Sequence, residues 1–534
     1  MVKKSIKKLF VGLAAFSAVS MCASADVLTQ SHNFFQPRAF SANLAREMMM
    51  EGSKHKDSDK WYGEFSAAAA YQRSWNQGME TSEDVDLADG VNGLGVYPFW
   101  SGTNVMTVGT NLSGSDLDAY QFGLGSVTSN GSITLSPVVY QAGADFMFVF
   151  GSSANQPCFF AKIKAPVGVY NINPNLVEVD ATPAVYAIGA LQSATATTTL
   201  ADPASTMTQA FAGNLPGGQT AVGDFQIMQY GLLDGAQSIG KFGDIEMTAG
   251  YRFISNDDNS FSVAVRAAAP TGGSADGIYM LEPIFGRGGN WALGGYLDGH
   301  VKLWEGNNDN SFQVKFMGNA QHLFDADTVR SYDLVSAGAG SKYLLVATYS
   351  STNVYGNAIA NLINYSTLAS KSSFAVEGDA VLSFAYVGRG WSLDLGYEFW
   401  GRSAEALVIT GAFSNQSYAI LGRQGISDAA GTSNVNLCQP TATIAASLAR
   451  VDAAAGDVVD ATAASNRVAF TDLDVAAAEQ NASLSSKVFS KIAYEWMDSN
   501  YRPHVGVMGE FEISNSNNNA LPQWSVSLVG GVSF

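Results

Sequence analysis

From residue 61 onward the sequence breaks into stretches in which apolar and polar side chains take turns. Trp61, Gly63, Phe65, Ala67, Ala69 and Tyr71 share one side, and Glu64, Ser66 and Gln72 share the other. A period of two puts successive side chains on opposite faces of a β-strand, so each stretch reads as a strand with one apolar and one polar face. Comparable stretches follow at 138–150, 159–170, 244–253, 261–266, 291–303, 312–316, 374–386, 391–402, 487–496, 502–513 and 524–534, which makes twelve in all. The links between them are short near 151–157, 255–260, 305–310, 388–390 and 497–500. These alternate with long links near 76–137, 172–240, 270–290, 324–373, 403–483 and 514–522. Two of the short links, Ser255-Asn256-Asp257-Asp258-Asn259-Ser260 and Gly306-Asn307-Asn308-Asp309-Asn310-Ser311, are built alike, as tight hairpin turns are. A soluble sandwich gives no reason for unbroken alternation of link length. A closed antiparallel up-and-down β-barrel crossing a membrane does, because all tight turns fall at one end and all long loops at the other. Residues 117–136 have room for one more hairpin, so fourteen strands is the alternative to twelve.

Composition agrees. Hydrophobic residues make up 47% of the chain and charged residues only 14%, against about a quarter in ordinary soluble domains. Past the N-terminus no apolar run reaches the roughly 18 residues a spanning helix needs. An all-β chain that shows half its strand residues to lipid fits both facts, and a large secreted all-β protein is the other reading. The formal charge of −18 argues against nucleic acid as a partner, since phosphate binding needs clustered Lys and Arg. Residues 1–25 read as a cleaved signal peptide. Lys3, Lys4, Lys7 and Lys8 precede an apolar core from Leu9 to Val19, and Ala23-Ser24-Ala25 supplies small residues for cleavage. Cys22 raises a lipoprotein reading, but Met21 is larger than the residue such sites carry. Residues 26–60 are expected to be a periplasmic leader or a short plug, with room for one short helix over 41–50; a disordered lead-in is the alternative. Cys158 and Cys438 would lie at opposite ends of a barrel, so no bridge between them is expected, given the ~7 Å limit between Cα atoms. Residues 442–478, rich in Ala, are expected to be surface loop rather than short helices.

The closing stretch sharpens the picture. Trp524, Val526, Leu528, Gly530, Val532 and Phe534 fall on one side, Ser525, Ser527, Val529, Gly531 and Ser533 on the other, and the sequence stops on the aromatic. With the signal peptide and the strand pattern, this resembles the closing strand of bacterial (Gram-negative-type) outer-membrane β-barrels, porin-like in layout, without pointing to one member. The resemblance implies an outer-membrane location and a barrel over 61–534. It also implies that Phe534 is an assembly signal read by the barrel-assembly machinery, with outer-membrane lipid around the wall and lipopolysaccharide beside the acidic outer loops. Val532 departs from the pattern, which usually has a second aromatic there.

If the polar faces look inward, the lumen is sectored by sign. Lys162, Lys164, Arg266, Lys302 and Lys315 belong to earlier strands; Glu377, Asp379, Asp394 and Glu398 belong to the next hairpin. Facing charges across a narrow hydrated pore set up a transverse field that sorts polar solutes. The expected function is a porin-like channel for passive or weakly selective diffusion of small polar solutes. A barrel whose lumen is filled by paired charges is the competing interior. A surface-recognition protein whose long loops bind a partner is the competing function. An enzyme would need a convergent site. Asp298 and His300 share one strand face, a spacing that suits a general base, and proteases of the omptin kind carry an Asp-x-His pair. They carry it near the outer rim, with a second carboxylate pair opposite. None of the five histidines is followed by Ser two residues on, and neither zinc-ligand spacing nor a phosphate loop occurs. No catalytic residue, cofactor or metal is expected, and a barrel hydrolase is the last reading.

Overall fold

The computed structural model describes residues 36–52, 61–75, 105–109, 116–124, 131–135, 137–153, 156–179, 204–215, 220–256, 258–306, 310–421, 437–444, 459–497, 501–514 and 520–534. The signal peptide expected over 1–25 lies outside the described residues, as does 445–458 within the Ala-rich stretch.

Twelve strands form one closed antiparallel sheet. They are β1 (Tyr62–Ser74), β2 (Val138–Gly151), β3 (Cys158–Asn173), β4 (Ile245–Ser255), β5 (Asn259–Ala269) and β6 (Ala292–Glu305), followed by β7 (Ser311–Ser331), β8 (Thr367–Gly388), β9 (Trp391–Arg402), β10 (Ser483–Glu495), β11 (Arg502–Ser514) and β12 (Gln523–Ser533). Each pairs with the next, and β12 returns to β1 with Val532 opposite Phe65 and Leu528 opposite Ala69. Full closure leaves no exposed strand edge around the wall. The fourteen-strand alternative does not hold. Leu117–Asp118 and Gly131–Thr134 join Val105–Gly109 and Val177–Val179 in a separate four-stranded sheet. At the seam, Gly63 N–H donates to the Phe534 carbonyl at 2.8 Å and Phe534 N–H to the Gly63 carbonyl at 2.9 Å. The Phe534 ring lies over Gly63, where a Cβ would come within 2.6 Å of it, so only glycine leaves the ring that seat.

The alternation maps onto the two faces of the wall. On β9, Leu393, Leu395 and Tyr397 point outward and are about half exposed, while Asp394, Glu398 and Trp400 point inward and are buried. Burying a Leu is worth about 1.5–3 kcal/mol, so rows of outward Leu and Val are stable where hydrocarbon replaces water. Aromatic residues band both ends. Trp61 stacks on Phe150 at 4.8 Å and Trp391 meets Tyr494 at 5.1 Å near the short turns. Near the long links Tyr71 meets Trp524 at 5.7 Å and Tyr140 at 6.4 Å. Amphipathic rings favour the two membrane–water boundaries.

Strands β7 and β8 are 21 and 22 residues long and run past the wall at the long-link end, bending at bulges between Gln321 and Ala326. There the described parts of the long links fold together into a cap. It contains a five-stranded sheet and apolar clusters, one of which gathers Phe122, Phe211, Phe285 and Tyr343. Within 442–478 the described residues 459–478 differ from expectation. Val475–Ala478 is a short helix, and Leu473 and Ala478 pack against Leu334, Leu368 and Leu407, because its small apolar residues fill the cap's core. Cys158, at the start of β3, and Cys438, in the cap, are both free and buried.

Candidate functional site: the barrel lumen

The lumen holds a piece of the chain itself. Asn43 caps a seven-residue helix, α1 (Leu44–Met50), its side chain accepting from the Arg46 N–H at 2.8 Å. At the long-link end Gln36 donates through its side-chain amide to the Gly286 carbonyl at 3.3 Å, and its own carbonyl accepts from Arg402 at 2.8 Å. At the short-turn end Gly52 N–H donates to Glu64 of β1 at 2.6 Å. Residues 36–52 therefore run the height of the barrel.

Their seat is part apolar and part charged. Leu44, Ala45, Met48 and Met49 pack against inward-facing Phe160, Tyr296, Met317, Val381, Phe489 and Met508. Met50 packs against Tyr62, Met147, Val149 and Val529. Arg38 turns to the acidic sector, with Nη2 2.6 Å from Asp379, Nη1 3.3 Å from Glu512, and a contact to Glu398. Its guanidinium also lies 5.6 Å from the centre of the Trp400 ring. Glu47 turns to the basic sector, meeting Arg266 at 2.7 Å and Lys164 at 2.9 Å. Glu51 pairs with Lys162, and Arg46 reaches Asp145 at 2.7 Å. From the long link before β6, Arg287 enters and holds Glu377 and Glu246, both at 2.8 Å. In the same link the half-buried Glu282 carboxylate accepts from the Asp276 and Gly277 N–H groups at 3.0 and 3.1 Å. Burial pushes its carboxyl up to about 7, against those hydrogen bonds.

Of the residues expected to line a pore, Lys162, Lys164, Arg266, Glu377, Asp379, Asp394 and Glu398 point inward and are buried. Lys302 sits at the short-turn rim instead, pairing with Asp258 at 2.8 Å and Glu305 at 3.0 Å. Lys315 reaches Asp394 at 2.9 Å and stays a quarter exposed, at 25%. The expected hydrated gap between the two signs is occupied by residues 36–52. Buried charges require partners, and Arg38, Arg46, Glu47, Glu51 and Arg287 supply them. None of these five stood out in the sequence. The available signal was the set of large apolar residues on otherwise polar strand faces, Phe160, Met317, Val381 and Phe489 among them. Asp298 accepts from the Ser262 hydroxyl at 3.0 Å, and His300 Nδ1 lies 2.6 Å from the Ser260 hydroxyl, so each has a serine partner on β5.

Lipid-facing bands outside and paired charges inside decide the class. The chain is a closed twelve-stranded antiparallel β-barrel with an apolar outer face. No family model matches this barrel and no curated protein matches it. Among solved structures it is similar to an outer-membrane channel from Pseudomonas putida F1, at 9% identity and TM-score 0.35, covering 91% of this chain and 99% of that one. It is similar to a Pseudomonas aeruginosa FadL homologue at 7% identity and TM-score 0.27, covering 89% and 90%. It is similar to the Pseudomonas putida toluene transporter TodX at 9% identity and TM-score 0.30, covering 96% of each.

Proposed function

We propose that the protein is an outer-membrane channel for small polar solutes, held closed by residues 36–52. In this reading the short turns face the periplasm and the cap faces outward beside lipopolysaccharide. Outer-membrane lipid surrounds the wall, and Phe534 is the residue that the assembly machinery reads. The observation that carries it is the relation between wall and segment. Acidic and basic sectors lie on either side of a single strip of chain that is held by side-chain contacts along its length. Displacing that strip would leave a charged, hydratable passage in place of a core. The test is solute entry into liposomes. A variant lacking residues 36–52 should admit small sugars and amino acids that the intact protein excludes; a folded variant that admits neither contradicts the reading.

The cap favours a second reading. The described parts of the long links share apolar clusters and form a built surface, and such a surface can hold a partner. Binding to cells or host surfaces that survives while every lumen variant stays impermeable would favour it.

A further inference from the structure

Much of what the wall does to residues 36–52 does not depend on their side chains. The Gln36 carbonyl accepts from Arg402 at 2.8 Å and the Ser41 carbonyl from Lys164 at 2.6 Å. The Met49 carbonyl accepts from Lys491 at 2.6 Å, and the Met50 carbonyl lies 3.1 Å from His504 Nε2. In the other sense the Leu44 N–H donates to Glu398 at 3.0 Å and the Gly52 N–H to Glu64 at 2.6 Å. Six wall side chains from β1, β3, β9, β10 and β11 thus bind main chain along the height of the lumen. Backbone N–H and C=O groups are common to every peptide, so this lining would hold a foreign chain as it holds its own. The side-chain contacts add a selection. One wall takes a cation, as Asp379 and Glu398 take Arg38; the other takes an anion, as Arg266 and Lys164 take Glu47. An apolar ring between them takes Leu44 and Met49.

We infer that the lumen is a peptide site, and that the solutes it admits are short peptides carrying both a cationic and an anionic group, with residues 36–52 as the resident competitor. The inference rests on the channel reading above and narrows its substrate class. Lysines and arginines alone would favour any anion, and carboxylates alone any cation. Side chains that meet both carbonyls (of Gln36, Ser41, Met49 and Met50) and amides (of Leu44 and Gly52) favour a peptide over a sugar of the same size.

The test uses open channels in a planar bilayer, made either by deleting residues 36–52 or by the double substitution Arg38→Ala and Glu47→Gln, which keeps the full chain if the deletion fails to fold. The probe is a peptide of unrelated sequence with Arg and Glu nine residues apart, as Arg38 and Glu47 are. It is compared with a neutral oligosaccharide of equal mass and with the same peptide N-methylated on its backbone. The peptide should interrupt the current at about a tenth of the sugar concentration or less, a difference of ~1.4 kcal/mol. N-methylation should weaken it, and so should Arg402→Ala together with Lys491→Ala. Conducting channels that peptide and sugar block equally overturn the peptide site and leave the channel standing. Absence of current from both opened forms overturns the channel, and the inference with it.

Discussion

Arg266 grips Glu47 at two points, its Nη1 3.1 Å from Oε1 and its Nη2 2.7 Å from Oε2. Both groups are buried, and the bridge joins a helix in the lumen to the wall that surrounds it. Breaking one side of a buried pair typically costs about 3–5 kcal/mol because the other charge is left without a partner. Glu47→Gln should therefore loosen α1 while the barrel stays folded. Hydrogen exchange of the amides over 44–50 should speed up markedly, with strand amides of β5 and β6 unchanged.

Glu282 provides a pH dependence away from the wall. Its carboxyl, ordinarily near 4.5, is pushed up to about 7 by burial in the turn it closes. A carboxyl whose folded value is raised binds its proton more tightly in the folded state. Its contribution is fully present below pH 4.5 and is lost as pH rises through about 7. The turn over 276–282, in the link that delivers Arg287 to the lumen, should become more protease-sensitive between pH 6 and 8 (roughly the window set by that shift). Glu282→Gln should flatten the profile. A profile that Glu282→Gln leaves unchanged assigns the effect elsewhere.

The wall was legible in the sequence because a strand with lipid on one side and polar contacts on the other writes a period of two into its residues. Leu393, Leu395 and Tyr397 against Asp394 and Glu398 is such a record. Strand number followed from counting such stretches, and the barrel from the alternation of short and long links. The lumen was less legible, since α1 is only seven residues long and lies among polar and charged neighbours that give no period. Trp400 shows what was missed. It falls on the polar side of β9, yet it is buried, with Arg38 and Arg402 stacked near its ring. A large aromatic on a face expected to be wet marks a place where something dry is packed. The cap was illegible for another reason: its cores are assembled from links far apart in sequence, as Phe122 and Phe285 are, and no local pattern records such contacts.

Lipid exposure of the outer face sets a further expectation. Leu395 and Leu528 lie near the middle of β9 and β12 and are 58% and 56% exposed. An Arg at the bilayer midplane costs about 2–4 kcal/mol in a barrel wall. Leu395→Arg and Leu528→Arg should each lower folding stability in vesicles by that order. A cost near zero would place these faces outside hydrocarbon.

Phe40 joins the lumen segment to the cap. Its ring stacks on Phe285 at 5.6 Å within the cap's apolar cluster, and the Arg46 guanidinium lies 4.2 Å from the ring centre. Removing a buried Phe side chain costs roughly 3–5 kcal/mol. Phe40→Ala should loosen both ends of this connection, so that cap residues near Phe285 and the amides of α1 lose hydrogen-exchange protection together. Loss confined to the cap would show that the two are not coupled.

Single-channel recording of the intact protein beside the Arg38→Ala, Glu47→Gln double variant, in the same bilayer and buffer, addresses the closed lumen most directly. The expected result is long silences with rare openings for the intact chain and frequent steps of similar size for the variant. Equal and sustained conductance from both would mean that residues 36–52 do not close the passage.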